Sequence, residues 1–222
     1  MGHLSRTFIK NEVNKSLKDF VKKSGYKLKS YRGELLIVKE EQKKLFTIWV
    51  SFSTYDDLML NQAFIGYLKV EEILLNVNDL PFEYSDFPMV VTLRILGNSY
   101  SGGRLAGKLK VEEDFDEIVG NFIEAFSTYY LPTFEKYSDP KNVLELWDSL
   151  PTMRSKADNF PSPDNYSKIL ILSKMCNDEN YQKRIDETIR FFQGEIDRGE
   201  DWMQVKLDVF LKVVKYLEEN EI

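Results

Sequence analysis

Gly102-Gly103-Arg104-Leu105-Ala106-Gly107-Lys108 matches the G-x-x-x-x-G-K spacing of a phosphate-cradling loop. In that chemistry glycine amides and a helix N-terminus hold the phosphates, and a hydroxyl after the lysine binds magnesium. Here the next residue is Leu109, and Leu109-Lys110-Val111 reads as a strand end rather than a helix start. The stretch is therefore predicted to be a glycine-bearing hairpin strand, not a nucleotide site.

Carboxylates recur at Asp56-Asp57, at Glu71-Glu72, from Glu112 through Glu113 and Asp116 to Glu117, and at Asp197, Glu200 and Asp201. Paired acids bind magnesium or hydrolyse glycosides once a fold gathers them in one pocket. No run matches a calcium loop, and helix starts and turns account for most of them. His3 is the only imidazole and Cys176 the only thiol. A Ser-His-Asp triad, a Cys-His pair, a disulfide and a multi-histidine or cysteine-rich metal site are thus poorly supported. Cys176 ends an apolar run from Leu170, so a buried, inert thiol is expected. No catalytic residue, metal ligand or cofactor site is assigned.

The elements that would position any site follow from periodicity. Phe8, Ile9, Val13, Leu17, Phe20 and Val21 form one helical stripe between about Ser5 and Ser24, with Gly25 as the stop. Strands are predicted around Tyr26–Lys29 and Leu35–Val38, then at Leu45–Phe52 after the polar turn at residues 40–43. Further strands are predicted at Ala63–Val70, Met89–Leu96 and Tyr100–Leu109, with a turn at Gly97-Asn98. Within residues 45–52, Phe46, Ile48, Val50 and Phe52 fall on one face of the strand and Thr47, Trp49 and Ser51 on the other. Phe115, Ile118, Val119, Phe122, Ile123, Phe126 and Tyr130 mark a long helix with an acidic first turn, which Pro132 should end or bend. Asp139-Pro140 opens a short helix, residues 150–163 read as a loop, and Ser162-Pro163 opens another helix. Two more helices follow, separated by Gly199-Glu200-Asp201, with Asp201 as the cap of the last. The fold class is α+β: an N-terminal helix, an antiparallel sheet meander, a long helix and a C-terminal helical extension. Residues 1–150 are read as the α+β domain and residues 151–222 as a helical extension packed on it, with one continuous domain as the alternative.

The net charge of −6 is unevenly placed. Residues 1–110 hold 17 Lys and Arg against 12 Asp and Glu, whereas residues 111–222 hold 13 against 24. An acidic, aromatic-bearing surface suits a basic protein partner. The contacts expected of it are Tyr129, Tyr130, Tyr137, Glu112, Glu113 and Asp116, with Tyr166 and Tyr181 as further tyrosines. The basic first helix, with Lys27, Lys29 and Arg32 after it, carries an alternative reading as a weak nucleic-acid contact, against which stands the acidic pI of about 5.1. The N-terminus lacks an apolar signal core and no segment has the apolar length of a membrane span, so a cytoplasmic protein is expected.

Three stretches resemble a bacterial domain-of-unknown-function family, number four-three-zero-four. They are the helix-to-strand run from Phe20 to Lys29, Gly103-Arg104-Leu105, and the helix end from Tyr130 to Ser138. The resemblance covers about residues 5–150. It implies a bacterial origin and an α+β fold, and it carries no activity or catalytic residues to this chain. Fold-level analogy adds an immunity-like role.

The expectation is a non-catalytic interaction protein that binds a basic partner through its acidic helical half. The alternative is an enzyme using carboxylate, Lys or Tyr groups in a cleft between sheet and helical tail. Oligomeric state is left open.

Overall fold

An amphipathic helix, α1 (Arg6–Lys23), opens the chain and buries Val13, Leu17 and Val21. Its lysines at 15, 18, 22 and 23 form the solvated side. The computed structural model describes residues 6–31, 34–53, 58–78, 93–95, 114–160 and 164–222. Gly25 ends α1 with φ at +78°, a left-handed conformation that costs glycine little. Its amide and that of Tyr26 donate to the carbonyls of Lys22 and Val21, which closes the last turn.

A sheet follows, with β1 (Lys27–Tyr31), β2 (Glu34–Glu41), β3 (Lys44–Ser53), β4 (Leu58–Tyr67) and β5 (Leu93–Ile95) hydrogen-bonded in that order. β1 pairs antiparallel with β2, and β2 with β3. The hairpin between β2 and β3 turns on Gln42 and Lys43, both at positive φ. Leu35 to Val38 are buried in succession, so both faces of β2 are covered. Register places Ile37 opposite Ile48 and Leu35 opposite Val50 on one face, and Val38 opposite Thr47 on the other. The face of β3 expected to carry its polar residues is buried as well at Thr47, whose Oγ1 has no hydrogen-bond partner among the described residues.

The helical period after residue 113 holds. Helix α3 (Asp114–Ala125) runs into a π-helical turn (Phe126–Tyr130) and then into α4 (Leu131–Lys136). Pro132 therefore does not end the helix. The Leu131 amide reaches back to the Phe126 carbonyl, and this wide turn makes room for a residue with no amide proton. The Thr133 hydroxyl donates to the Tyr129 carbonyl at 2.6 Å. Phe126 packs edge-on against Phe20 and Tyr26, and Phe134 lies against Phe46. These rings join α1, the sheet and the π turn into one core.

The chain divides into two compact units. The first holds residues 1–66, 87–90 and 94–136; the second holds residues 67–86, 91–93 and 137–222. The second unit, as described, is helical. It contains α2 (Leu68–Val77), α5 (Pro140–Ser149), α6 (Met153–Asn159), α7 (Asn165–Met175), α8 (Tyr181–Ile196) and α9 (Met203–Glu219). Helix α2 corrects the expectation of a strand through Val70: the strand stops at Tyr67. Val70, Ile73 and Leu74 then recur at helical spacing, and all three are buried. Helix α6 corrects the expectation of a loop at residues 150–163. Thr152 and Ser155 satisfy one another's backbone amides in a capping box that uses serine in place of the usual glutamate. Asp139 caps α5 as predicted, accepting from the Lys141 amide at 2.9 Å. Asp201 does not cap α9; the N-cap position is Trp202. Among the described residues no helix is long and apolar enough to cross a membrane. Of the hairpin predicted at Met89–Leu96 and Tyr100–Leu109, residues 93–95 form β5; its turn and second strand, with the G-x-x-x-x-G-K match, lie outside the described residues, as do Asp56 and Asp57.

The buried, unpartnered hydroxyl of Thr47 has a measurable consequence. Thr47→Val keeps the shape and removes a desolvated polar atom, so it is expected to stabilise the protein by about 1 kcal/mol in urea denaturation. A loss of stability would show that the hydroxyl has a partner in the folded protein.

Candidate functional site

The residues expected to bind a partner fall into two units, and some lie outside the described residues. Tyr130 is buried at 4% exposure, and burial, with Tyr129 beside it, pushes its phenol up to about 12. Tyr129 is half-buried with its ring edge-on to Tyr130 at 5.4 Å. Tyr137 is half-buried and belongs to the other unit, where its carbonyl accepts the Tyr67 hydroxyl at 2.5 Å. Asp116 lies in the first turn of α3, and Glu112 and Glu113 lie outside the described residues. The paired acids at 71 and 72 are committed to lysines: Glu71 to the buried Lys168 at 2.8 Å and Glu72 to Lys69 at 3.4 Å. Cys176 is half-buried rather than buried, and desolvation, with Asp139 nearby, raises its thiol above the ordinary range. Among the described residues no group of three His, Cys, Asp or Glu is placed to hold a metal ion.

The concave surfaces of the helical unit lie elsewhere. An aromatic chain organises them. Trp147 of α5 packs edge-on to Phe160 and Tyr166, and Tyr166 of α7 meets Phe191 and Phe192 of α8 at 5.6 and 5.1 Å. The Tyr166 hydroxyl donates to the Met153 carbonyl, which ties α7 to the start of α6. Beside this chain opens a cavity of about 500 Å³ with Tyr166, Phe191, Trp202 and Met203 in its wall. Trp202 is 56% exposed, and its indole Nε1 donates to Glu200 at 2.7 Å. It stands at the wall as a pre-positioned apolar plate.

A second groove, of about 750 Å³, adjoins the cavity; Arg154, Phe191 and Glu195 line both. One wall is the face of α8 that carries Lys183, Glu187, Arg190, Phe191, Glu195 and Arg198. The other is the segment from Leu150 to Lys156, which α6 and its capping box hold in place. The groove is cationic. Lys183 is 3.9 Å from Glu187, and Arg198 is paired with Glu195. Arg154, Lys156 and Arg190 have no ion pair among the described residues. Lys156 is the unusual one. It is only 8% exposed, and its ammonium sits 5.3 Å from the Trp147 ring centroid. Desolvation lowers its pKa against the opposing pull of Glu187 and Asp148, with Arg184 and Lys183 adding to the fall.

Behind the groove Arg184, 5% exposed, forms a fork with Asp148 at 2.5 and 2.8 Å and contacts Asp178 at 2.7 and 3.1 Å. Asp178 also accepts the Ser173 hydroxyl and the Asn180 amide. Burial alone would raise its carboxyl; these hydrogen bonds and the Arg184 charge outweigh it and hold the group below its ordinary value. The network fixes the start of α8 against the ends of α5 and α7 and so sets the groove wall. No protein-family model, curated protein or solved structure matches the chain, which leaves the geometry of the helical unit as the guide to its function.

Removing Arg184 strands two carboxylates, so Arg184→Met is expected to cost about 3 kcal/mol of stability in chemical denaturation. The lowered Asp178 carboxyl contributes stability at neutral pH, and that contribution is lost as pH falls below about 4, through the folded-state value. Asp178→Asn should therefore flatten the acid limb of the stability curve. A variant whose acid limb matches that of the unchanged protein would contradict this assignment.

Proposed function

We propose that the protein is a non-catalytic interaction module whose helical unit holds an acidic segment of a partner protein. The observation that carries the reading is the adjoining pair of surfaces: an apolar cavity walled by an exposed tryptophan, continuous with a groove that has three cations without ion pairs among the described residues. An aromatic or large aliphatic side chain suits the cavity, and carboxylates flanking it suit the groove. The acidic excess of residues 111–222 is an average over the whole half. The concave surface inside that half is locally basic, so the partner it favours is acidic rather than basic.

The cavity residues have the character of an interface core. Trp202 and Met203 bury large area with few lost rotamers or with adaptable packing, and the arginines at the rim hydrogen-bond to carboxylates in a fixed plane. A cationic rim also speeds the approach of an acidic segment at low salt.

Selection of short peptides from a random library on the full chain tests the proposal. Enriched sequences are expected to carry one large apolar residue flanked by Asp or Glu. Their affinity is expected to fall about tenfold in Trp202→Ala and in Arg190→Glu, with the melting temperature unchanged. Enrichment of basic peptides that bind both variants as well as the unchanged protein would contradict it.

A further inference from the structure

Lys156 breaks a general rule of protein interiors. Lysine is rarely buried this far unless a carboxylate accompanies it, because a desolvated ammonium is costly. Here the stem is buried on α6, the charge faces the Trp147 ring, and no carboxylate lies within ion-pairing distance among the described residues. Its neighbours sharpen the point. Arg184, buried to the same degree, has two carboxylates, and Lys168, buried likewise, has Glu71. Among the described residues of the helical unit, the other buried cations have direct carboxylate partners, whereas Lys156 lines a groove with Glu187 and Asp148 beyond ion-pairing distance.

Arg154 and Arg190 line the same groove, are exposed, and have no ion pair among the described residues. Arg190 spends one donor on the Asp186 carbonyl at 3.2 Å and keeps the rest of its guanidinium fork. Lys183 and Arg198 are compensated by Glu187 and Glu195. What remains is three cations without an ion pair among the described residues in one groove, one of them partly desolvated, with Glu187 and Asp148 acting on Lys156 only from beyond ion-pair distance. A single carboxylate leaves part of that charge unmet. A dianion with three acceptor oxygens matches it, and arginine forks bind such a group through paired hydrogen bonds.

We propose that this groove seats a phosphate monoester on the Lys156 ammonium, with Arg154 and Arg190 closing on its oxygens. The seat lies in the groove already assigned to the partner segment and rests on that reading; it adds that the segment's anionic group is a phosphorylated side chain. The setting favours a monoester over a nucleic-acid backbone. Phosphodiesters carry one charge each and are met by cations spaced along a track, whereas here Arg154, Lys156 and Arg190 line a single groove.

The test uses pyridoxal 5′-phosphate as a phosphate-bearing probe on the intact chain. Its aldehyde carbon and the lysine Nζ form a C=N bond with loss of water, and borohydride then delivers hydride to give a stable secondary amine that mass spectrometry locates. At low probe ratio Lys156 is expected to take about five times the label of an exposed lysine such as Lys27, and pyridoxal without the phosphate is expected to show no such preference. Inorganic phosphate and a pool of phosphopeptides are expected to protect Lys156, the pool at lower concentration than phosphate when a protein supplies the group. The exposed double variant R154E/R190E is expected to lower Lys156 labelling about tenfold, with the circular dichroism spectrum unchanged. Equal labelling by pyridoxal, indifference to the double variant, or protection by an oligonucleotide at lower concentration than phosphate would overturn the proposal. Failure of this labelling while selected acidic peptides still bind through Trp202 removes the phosphate seat alone; failure of both removes the groove reading.

Discussion

The helical unit depends on one buried arginine. Arg184 joins the end of α5, the end of α7 and the start of α8 through Asp148 and Asp178, and it does so from a nearly water-free position. A buried cation is costly unless its donors are met with good geometry. Here the two carboxylates meet it, and Asp178 is itself held by Ser173 and the Asn180 amide. Fixing the start of α8 sets the phase of that helix along its length. The phase decides which residues face Tyr166 and which face the groove. Phe192 turns inward to Tyr166 and Phe210, whereas Lys183, Glu187, Arg190 and Arg198 line the groove.

The same physics makes Lys156 informative. Two cations one helix apart are buried to a similar degree, yet among the described residues only Arg184 has carboxylates within ion-pairing distance. The Trp147 ring offers Lys156 an electrostatic face worth about 1–2 kcal/mol when desolvated, a partial substitute for a counter-charge. An anion arriving in the groove completes what the fold leaves open. The apolar cavity beside it supplies a different kind of free energy, from area removed from water at Trp202 and Phe191. In the proposed function the two surfaces together recognise a segment by charge and by shape.

Local signals were legible in the chain and long-range ones were not. Gly25 and Gly199 both end helices at positive φ, as their positions suggest, and Asp139-Pro140 begins one. Asn177 closes α7 in the same left-handed way, a role that asparagine shares with glycine but advertises less. The antiparallel order of the sheet and the helical run after residue 113 follow from periods of two and of about 3.6. Helix α2 is masked in the sequence because Leu68-Lys69-Val70 continues the apolar character of β4 without a break. Helix α6 was missed because prolines on both sides mark a loop, while Thr152 and Ser155 form a box without the usual glutamate. Tyrosine count and half-chain charge pointed to Tyr130 and its neighbours, but Tyr130 belongs to the core. The groove draws on residues 148–156 and 183–198, which α7 separates in sequence. Half of it was nonetheless readable: Lys183, Glu187, Arg190, Phe191, Glu195 and Arg198 recur at one helical face.

The most direct measurement is the titration of individual lysine side chains by nuclear magnetic resonance, with and without phosphate. In the free protein the Lys156 amine should titrate below the exposed lysines. On addition of phosphate its midpoint should rise, because a bound anion stabilises the ammonium form. A Lys156 amine that titrates with the exposed lysines, and does not move when phosphate is added, would contradict the account.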